Sequence, residues 1–579
     1  MRFLSSLSMK SLESKSDVFK ISIVLVFLIL MNIPFLNRAI AIDDIYVVEM
    51  ANQIIKNPLD PFGFDWYMLN RPLASAFTHS NPPLLSYYYA IVKYLFGDVN
   101  VVLHAFYMIF SAIAALSMFY IAKKITRWPL FATLLLIFTP IFAVASHNFM
   151  YDVPVLAFFL ISVALFMKGL EEDNKISLVI SSIFAAIAFL TKYNAIIIFP
   201  ILALYACLRK KPKYISYFSI SLILIFLYSI NEMYHYGAVH SISFFFRWPT
   251  TKSLSSSAMG KIFQFYLPYS IANISYLGGA TIFFFFLSSP FVKTLRDVIL
   301  LVVLTAINVV FAFLLYIGSA KFLSGQYTIL QLMLLIMFMT SSSYFLTKMA
   351  MSLIKFITDY FINKNRDKAL LAYYIFIGVW FFIALFFHTV FAGGNARYLT
   401  ILLPPMIIYY CVMIKERIAN YNVPMQKIEK VFFYSLLTTF ILGISLSIAD
   451  YQYADTYRSF SNNMAYKYKS EGATYFTGHE GFKYYMEQKG YTFYDPLVHK
   501  FSNGDIIIKP NIPHPRNLDK SSKNLVLVDK IYYHSKFPIR INNPSAHAGF
   551  HTFANGFLPF SISNSPLDII EIYRFVRVP

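Results

Sequence analysis

The stretch Ile21–Asp44, ISIVLVFLILMNIPFLNRAIAIDD, decides how the rest of this chain is read. Its first part is an apolar run preceded by Lys10, Lys15 and Lys20, long enough with its flanks to cross a bilayer as a helix, and the stretch closes on two carboxylates. No small-residue cleavage site follows Ile40, so the run reads as a retained first helix and not a leader. An acidic pair at a membrane–water boundary is costly unless it caps a helix or binds something. Asp43 is placed for the first role, ahead of the helix expected through Val47 to Ile55, and equally for the second.

Composition makes lipid the solvent. Of 579 residues, 58% are hydrophobic and only 13% charged, more apolar surface than a soluble chain of this length can hide in one core. Apolar stretches of spanning length recur as far as Ser447, and residues 450–579 lose the pattern. The net charge of +20 does not point to nucleic acid, because Lys and Arg gather in alternate polar breaks, as at Lys123, Lys124 and Arg127 or Arg209, Lys210, Lys211 and Lys213. That is the positive-inside pattern. It predicts outward spans near 19–38, 129–147, 177–191, 213–231, 297–317, 369–391 and 431–449, and inward spans near 100–122, 152–169, 194–208, 268–290, 326–347 and 397–414. Pro82–Phe96 and Met349–Ile362 are expected to lie along the outer and inner surfaces.

The expected fold is an α-helical polytopic membrane protein of about thirteen transmembrane helices, with a small C-terminal α/β extracytoplasmic domain. Residues 1–449 form the first unit, including an outer loop at 39–99, and 450–579 the second. In the second unit, strands are expected at 473–477, 505–508, 525–528 and 569–576 and a helix at 479–489, with turns at Gly481, Gly549 and Gly556. All twelve histidines fall on the outer side or in the second unit, whereas Cys207 and Cys411 lie near inner helix ends and supply no exported disulfide.

Five motifs occupy successive outer boundaries: Asp43-Asp44; Asn81-Pro82-Pro83-Leu84-Leu85-Ser86-Tyr87-Tyr88; His147-Asn148-Phe149-Met150-Tyr151-Asp152-Val153-Pro154; Leu190-Thr191-Lys192-Tyr193; and Arg397-Tyr398-Leu399 followed by Leu403-Pro404-Pro405. In order and placement they resemble the GT-C superfamily of polyprenyl-phosphate-sugar-dependent glycosyltransferases. The branch they look most like holds the protein O-mannosyltransferases and the lipid A aminoarabinose transferase of bacteria. The likeness covers residues 19–450.

The resemblance implies a GT-C fold and an inverting transfer of a sugar from a polyprenyl-phosphate carrier to an acceptor hydroxyl. Asp43 is then the general base, and Asp152 a second carboxylate that positions the acceptor or binds a metal. Lys192, Arg397, Tyr398 and Asn81 bind the donor or its phosphate, with Arg38 a further cationic candidate, and Asp44 and Tyr88 support the site. Gly393-Gly394 beside Arg397 would let backbone approach a ligand. At Ser80-Asn81 the chain departs from the lipid A enzymes, which carry an acidic and then a basic residue. His79, with His235 or His240, is the set left for a divalent metal ion. Partners implied are the lipid-linked donor, membrane lipid and an envelope glycan, lipid or protein acceptor, in a bacterial inner membrane with the site facing the periplasm.

Three other classes share part of the pattern. A transporter or flippase would carry ionisable groups near the bilayer midplane, whereas here they gather at the outer boundary. A polysaccharide polymerase or ligase uses the same carriers, and the early Asp-Asp loop argues for transfer of the GT-C kind instead. A non-catalytic assembly subunit would carry a degenerate site.

Overall fold

The computed structural model describes residues 9–68, 71–75, 81–242, 245, 266–282, 294–316, 327–363, 367–421, 424–463, 465–468, 472–515, 518 and 524–577. The chain is an integral membrane protein: among the described residues, nine helices are long and apolar enough to cross a bilayer. The first half contains α1 (Asp17–Asn32), α2 (Asp44–Lys56), α3 (Leu84–Phe96), α4 (Asn100–Ile125), α5 (Pro129–Phe138), α6 (Pro140–Ala145), α7 (Asp152–Glu172), α8 (Lys175–Thr191), α9 (Ile198–Leu208) and α10 (Phe218–Tyr236). The second half contains α11 (Leu267–Leu277), α12 (Leu295–Tyr316), α13 (Ile329–Ile362), α14 (Lys368–Phe387), α15 (Leu403–Tyr421) and α16 (Met425–Asn463).

Lipid-facing surface is written on these helices. Leu222, Ile223, Phe226, Leu227 and Ile230 of α10 are each at least half exposed, which a protein in water would not tolerate as a contiguous stripe. The spans expected from 19, 100, 129, 152, 177, 268, 297, 369 and 431 begin within α-helices, and those from 194, 213 and 397 on short 3-10 segments that lead into one. The span expected from 326 begins outside the described residues, with α13 starting at Ile329, and the one over 268–290 is described only as far as Ile282.

Three boundaries differ from expectation, each for a local reason. The span expected over 129–147 is broken between α5 and α6, because Pro140 has no N–H and forces Thr139 into extended backbone at ψ 126°. Gly443 of α16 packs into that break, where an added Cβ would meet the Phe138 carbonyl oxygen at 2.3 Å. The segment 349–362, expected as a separate surface piece, is the continuation of α13, a 34-residue helix with no proline or glycine to stop it. Lys348 inside it pairs with Asp297, so its charge needs no break. Finally, α16 runs 39 residues, about 58 Å at 1.5 Å per residue, and passes through residue 450 without interruption. The boundary drawn at 449 therefore falls inside a helix that joins the two units.

The C-terminal unit is a five-stranded sheet. Its strands are β1 (Thr474–Phe476), β2 (Thr492–Phe493), β3 (Ile506–Pro510), β4 (Leu525–Tyr533) and β5 (Asp568–Phe575), in the order β2-β1-β3-β5-β4. β1 is parallel to β2 and β3, whereas β5 is antiparallel to both its neighbours. The helix α17 (Glu480–Gln488) connects β1 to β2, the short crossover a parallel pair requires. α16 anchors the sheet: Tyr453, Tyr457 and Phe460 are buried, and the Tyr457 hydroxyl donates to Asp568 Oδ2 at 3.1 Å.

Candidate active site

Asp43 stands at the N-cap position of α2, but its side chain accepts no capping bond. Its carboxylate instead pairs with the Arg397 guanidinium, brought from the short 3-10 segment Ala396–Leu402. Burial alone would push this carboxyl up, but Arg397, with smaller help from His551 and Lys192, outweighs it and holds Asp43 below the usual carboxylate range. The side chain keeps 36% of its surface accessible, so the paired carboxylate is not sealed off.

A second ion pair lies alongside. Asp152 is the first residue of α7 and is buried; its Oδ1 accepts from Lys192 Nζ at 2.7 Å. Lys192 follows α8 in extended backbone, its ammonium 3.9 Å from the centre of the Tyr398 ring. Arg397 stacks on the same ring at 5.1 Å. Asp43, Asp152, Lys192, Arg397 and Tyr398, taken from four separate stretches of sequence, thus form one cluster of two carboxylates, two cations and a ring that both cations contact.

Beneath it lies a buried support. Arg38 Nη1 donates to Asp44 Oδ2 at 2.7 Å and Arg38 Nε to Asp450 Oδ2 at 2.5 Å, and His551 Nε2 reaches Asp450 Oδ1 at 2.8 Å. Asp44 also accepts from the N–H groups of Ala41 (3.1 Å) and Phe149 (2.8 Å). The outer end of α1, the Asp43 loop, the stretch before Asp152, α16 and the C-terminal unit are therefore tied at one point. Arg38, offered above as a phosphate group, is only 1% exposed and held by two carboxylates; it organises the loop instead.

The C-terminal unit closes over the same place. The Ala396 N–H donates to the Phe550 carbonyl at 3.1 Å, and the Phe553 N–H to Asn395 Oδ1 at 3.3 Å. Gly393, at φ +83°, and Gly394, where a Cβ would meet Ala272 Cβ at 2.8 Å, serve this packing and do not leave backbone open to a ligand. Gly481, expected in a turn, lies in α17 against the Ile40 carbonyl; an added Cβ would sit 2.2 Å from that oxygen. The residue before it, Glu480, lies within electrostatic reach of Asp43 and Arg397, whereas in the sequence His479-Glu480 stands out only as a metal-like pair that matches no zinc spacing. Burial, with the nearby charge of Asp43, pushes its carboxyl up to about 8.

Other expected residues are placed elsewhere. The Tyr88 hydroxyl donates to the Phe106 carbonyl at 2.9 Å and its ring packs on Phe110, so it braces α3 on α4 and does not support the carboxylates. Asn81 is half-buried just before α3. His79 lies outside the described residues. His235 is exposed near the end of α10, and buried His240 is held by Glu232, its Nδ1 2.7 Å from Oε1. Among the described residues no three His, Cys, Asp or Glu side chains converge as a metal site. His104 Nε2, 3.1 Å from the Arg38 carbonyl, and His147 Nε2, 3.0 Å from the Met31 carbonyl, are structural.

Residues 80–231 match the family described as dolichyl-phosphate-mannose-protein mannosyltransferase. The matched segment carries Asp152 and Lys192 and supports the resemblance to polyprenyl-phosphate-sugar glycosyltransferases drawn from the motifs. No curated protein matches the chain. Among solved structures, ArnT from Cupriavidus metallidurans is similar in its apo state (13% identity, TM-score 0.37) and bound to undecaprenyl phosphate (13%, 0.38), each comparison covering 85% of this chain and 92% of that one. The S. cerevisiae protein O-mannosyltransferase Pmt1-Pmt2 complex bound to the sugar donor is similar at 17% identity and TM-score 0.31, covering 40% of this chain and 35% of that one. The functional reading rests on the matched segment and on the cluster.

Proposed function

We propose that this chain is an inverting glycosyltransferase of the GT-C kind, moving a sugar from a polyprenyl-phosphate carrier to an acceptor hydroxyl on the outer side of the membrane. One observation carries the reading: a carboxylate kept ionised and partly accessible beside two cations that share an aromatic ring. The acceptor hydroxyl gives its proton to Asp43 as its oxygen bonds to the anomeric carbon. The bond from that carbon to the carrier phosphate breaks in the same step, so the configuration inverts. The departing phosphate needs charge balance more than a proton. Lys192 has three N–H donors, one of which Asp152 takes, and Tyr398 holds the ammonium in place for the phosphate. Asp152 is thus a positioning residue for Lys192. An envelope setting, with the site facing the periplasm of a bacterial inner membrane, fits the charge pattern of the breaks.

The test is sugar transfer by purified wild-type and Asp43→Asn protein in lipid, given a panel of radiolabelled polyprenyl-phosphate sugars with a membrane extract as acceptor, with and without chelator. Transfer by the wild type and a loss of roughly 10²-fold or more in the variant is the expected result. Translocation of the carrier without transfer would replace this reading with a flippase.

A further inference from the structure

The C-terminal unit brings a carboxyl of its own, Glu480, into the electrostatic surroundings of Asp43 and Arg397. Glu480 is the first residue of α17 and holds φ +57°, a left-handed backbone conformation costly to any residue with a Cβ. The contact of Gly481 with the Ile40 carbonyl holds it there, and the Tyr485 hydroxyl, accepting from the Ile40 N–H at 2.9 Å, pins the same helix to the Asp43 loop. Strain of this kind is found where a side chain must be delivered to one place.

Titratable groups reach Glu480 from several elements. The loop before α2 contributes Asp43, α2 Asp44 and Tyr46, the segment after α14 Arg397, β5 Asp568, and α16 Tyr453 and Tyr457. His514 Nε2, after β3, is 3.5 Å from Oε1. Lys483 on the same helix is paired with Glu487 at 3.4 Å. Oε2 is buried and has no hydrogen-bond partner. A buried oxygen without a partner is an unmet demand, which a hydroxyl arriving beside Asp43 would satisfy.

We infer that Glu480 is an acceptor-binding residue, and that the acceptor is a neutral sugar ring whose attacking hydroxyl meets Asp43 while a neighbouring hydroxyl bonds Glu480. The inference rests on the transferase reading above and adds the acceptor class to it. A phosphorylated acceptor would bring negative charge against the ionised Asp43. A neutral carboxyl, the form that the raised titration of Glu480 favours at neutral pH, both donates to and accepts from a sugar hydroxyl.

The experiment offers the full-length protein, with whichever donor of the panel transfers, three acceptors: methyl mannoside, its 6-phosphate and a serine/threonine peptide. Monodeoxy methyl mannosides follow. The neutral sugar is expected to accept. Glu480→Ala should raise the acceptor KM roughly tenfold, the scale of one hydrogen bond to a charged or strongly polar group, with the donor KM unchanged. Glu480→Gln, which keeps a donor and an acceptor, should lose much less. One monodeoxy sugar should lose the same factor with the wild type and nothing more with Glu480→Ala. In the wild type the acceptor KM should rise above about pH 8, and in Glu480→Gln it should not. Preference for the phosphorylated sugar or the peptide overturns the inference. So does a Glu480→Ala variant in which both KM values and kcat change together, or in which the deoxy penalty adds to that of the variant. Absence of transfer to every acceptor, including the membrane extract, removes the transferase reading and this inference with it. Transfer to the extract but not to the neutral sugar removes only the inference.

Discussion

Asp43 and Arg397, 354 residues apart, meet as a carboxylate–guanidinium pair whose carboxylate stays partly accessible. Arg397 keeps the base ionised against the push of burial. In Arg397→Gln that push is opposed only by the smaller effects of His551 and Lys192, and the Asp43 carboxyl rises. The wild type should therefore keep its base down to strongly acidic pH, whereas the variant should lose it at higher pH as the solution is acidified. The acid limb of the kcat/KM profile is the measurement, and a limb that does not move upward refutes the pairing.

Lys192 is expected to act on the donor and not on the acceptor. Lys192→Met should weaken binding of polyprenyl phosphate by roughly ten- to a hundredfold, the range for losing one charged hydrogen bond. Titration calorimetry in nanodiscs reads this directly. Tyr398→Phe keeps the ring beneath the ammonium and should leave that affinity nearly unchanged, whereas Tyr398→Ala should not.

Arg38, Asp44, Asp450 and His551 are expected to govern stability. Arg38→Gln leaves two buried carboxylates without their cation and should cost about 3–5 kcal/mol, seen as a lower melting temperature of the purified protein. Asp450→Asn should act through the same network, so the double variant should lose less than the sum of the two single losses.

Docking of the C-terminal unit has its own test. Gly481→Ala drives a Cβ against the Ile40 carbonyl, and with backbone on both sides of the contact α17 must move away from the Asp43 loop. Limited proteolysis should then cut the C-terminal unit faster. Tyr485→Phe removes only one hydrogen bond to the Ile40 N–H and should cost about 1 kcal/mol without releasing the unit.

Much of the fold was legible because the signals are local. Apolar run length and the placement of Lys and Arg locate helices, and β1, α17, β3, β4 and β5 fall where alternation and turn residues put them. Breaks were less legible. Pro140 was in view, but whether a proline kinks a helix or ends it depends on what packs at the break, here Gly443. The end of a helix that leaves the membrane and enters a folded unit carries no hydropathy signal, which is why α16 overran residue 450.

The site divides in the same way. Asp43, Asp152, Lys192, Arg397 and Tyr398 could be selected by type and position, since charged residues at an outer boundary are few. Arg38 met the same criterion and is instead enclosed, because two carboxylates far apart in sequence converge on it. Asp450 and His551 had little to mark them, one at a helix continuation and the other in a histidine-containing turn. By itself the sequence determined a polytopic helical membrane protein with its ionisable groups gathered in the breaks between spans, because burial in lipid leaves a one-dimensional record of which residues are apolar. Only the tertiary structure decided which cation meets which carboxylate, and that Glu480 of a distant unit faces Asp43. Those partners are set by packing between elements hundreds of residues apart, which no local pattern records.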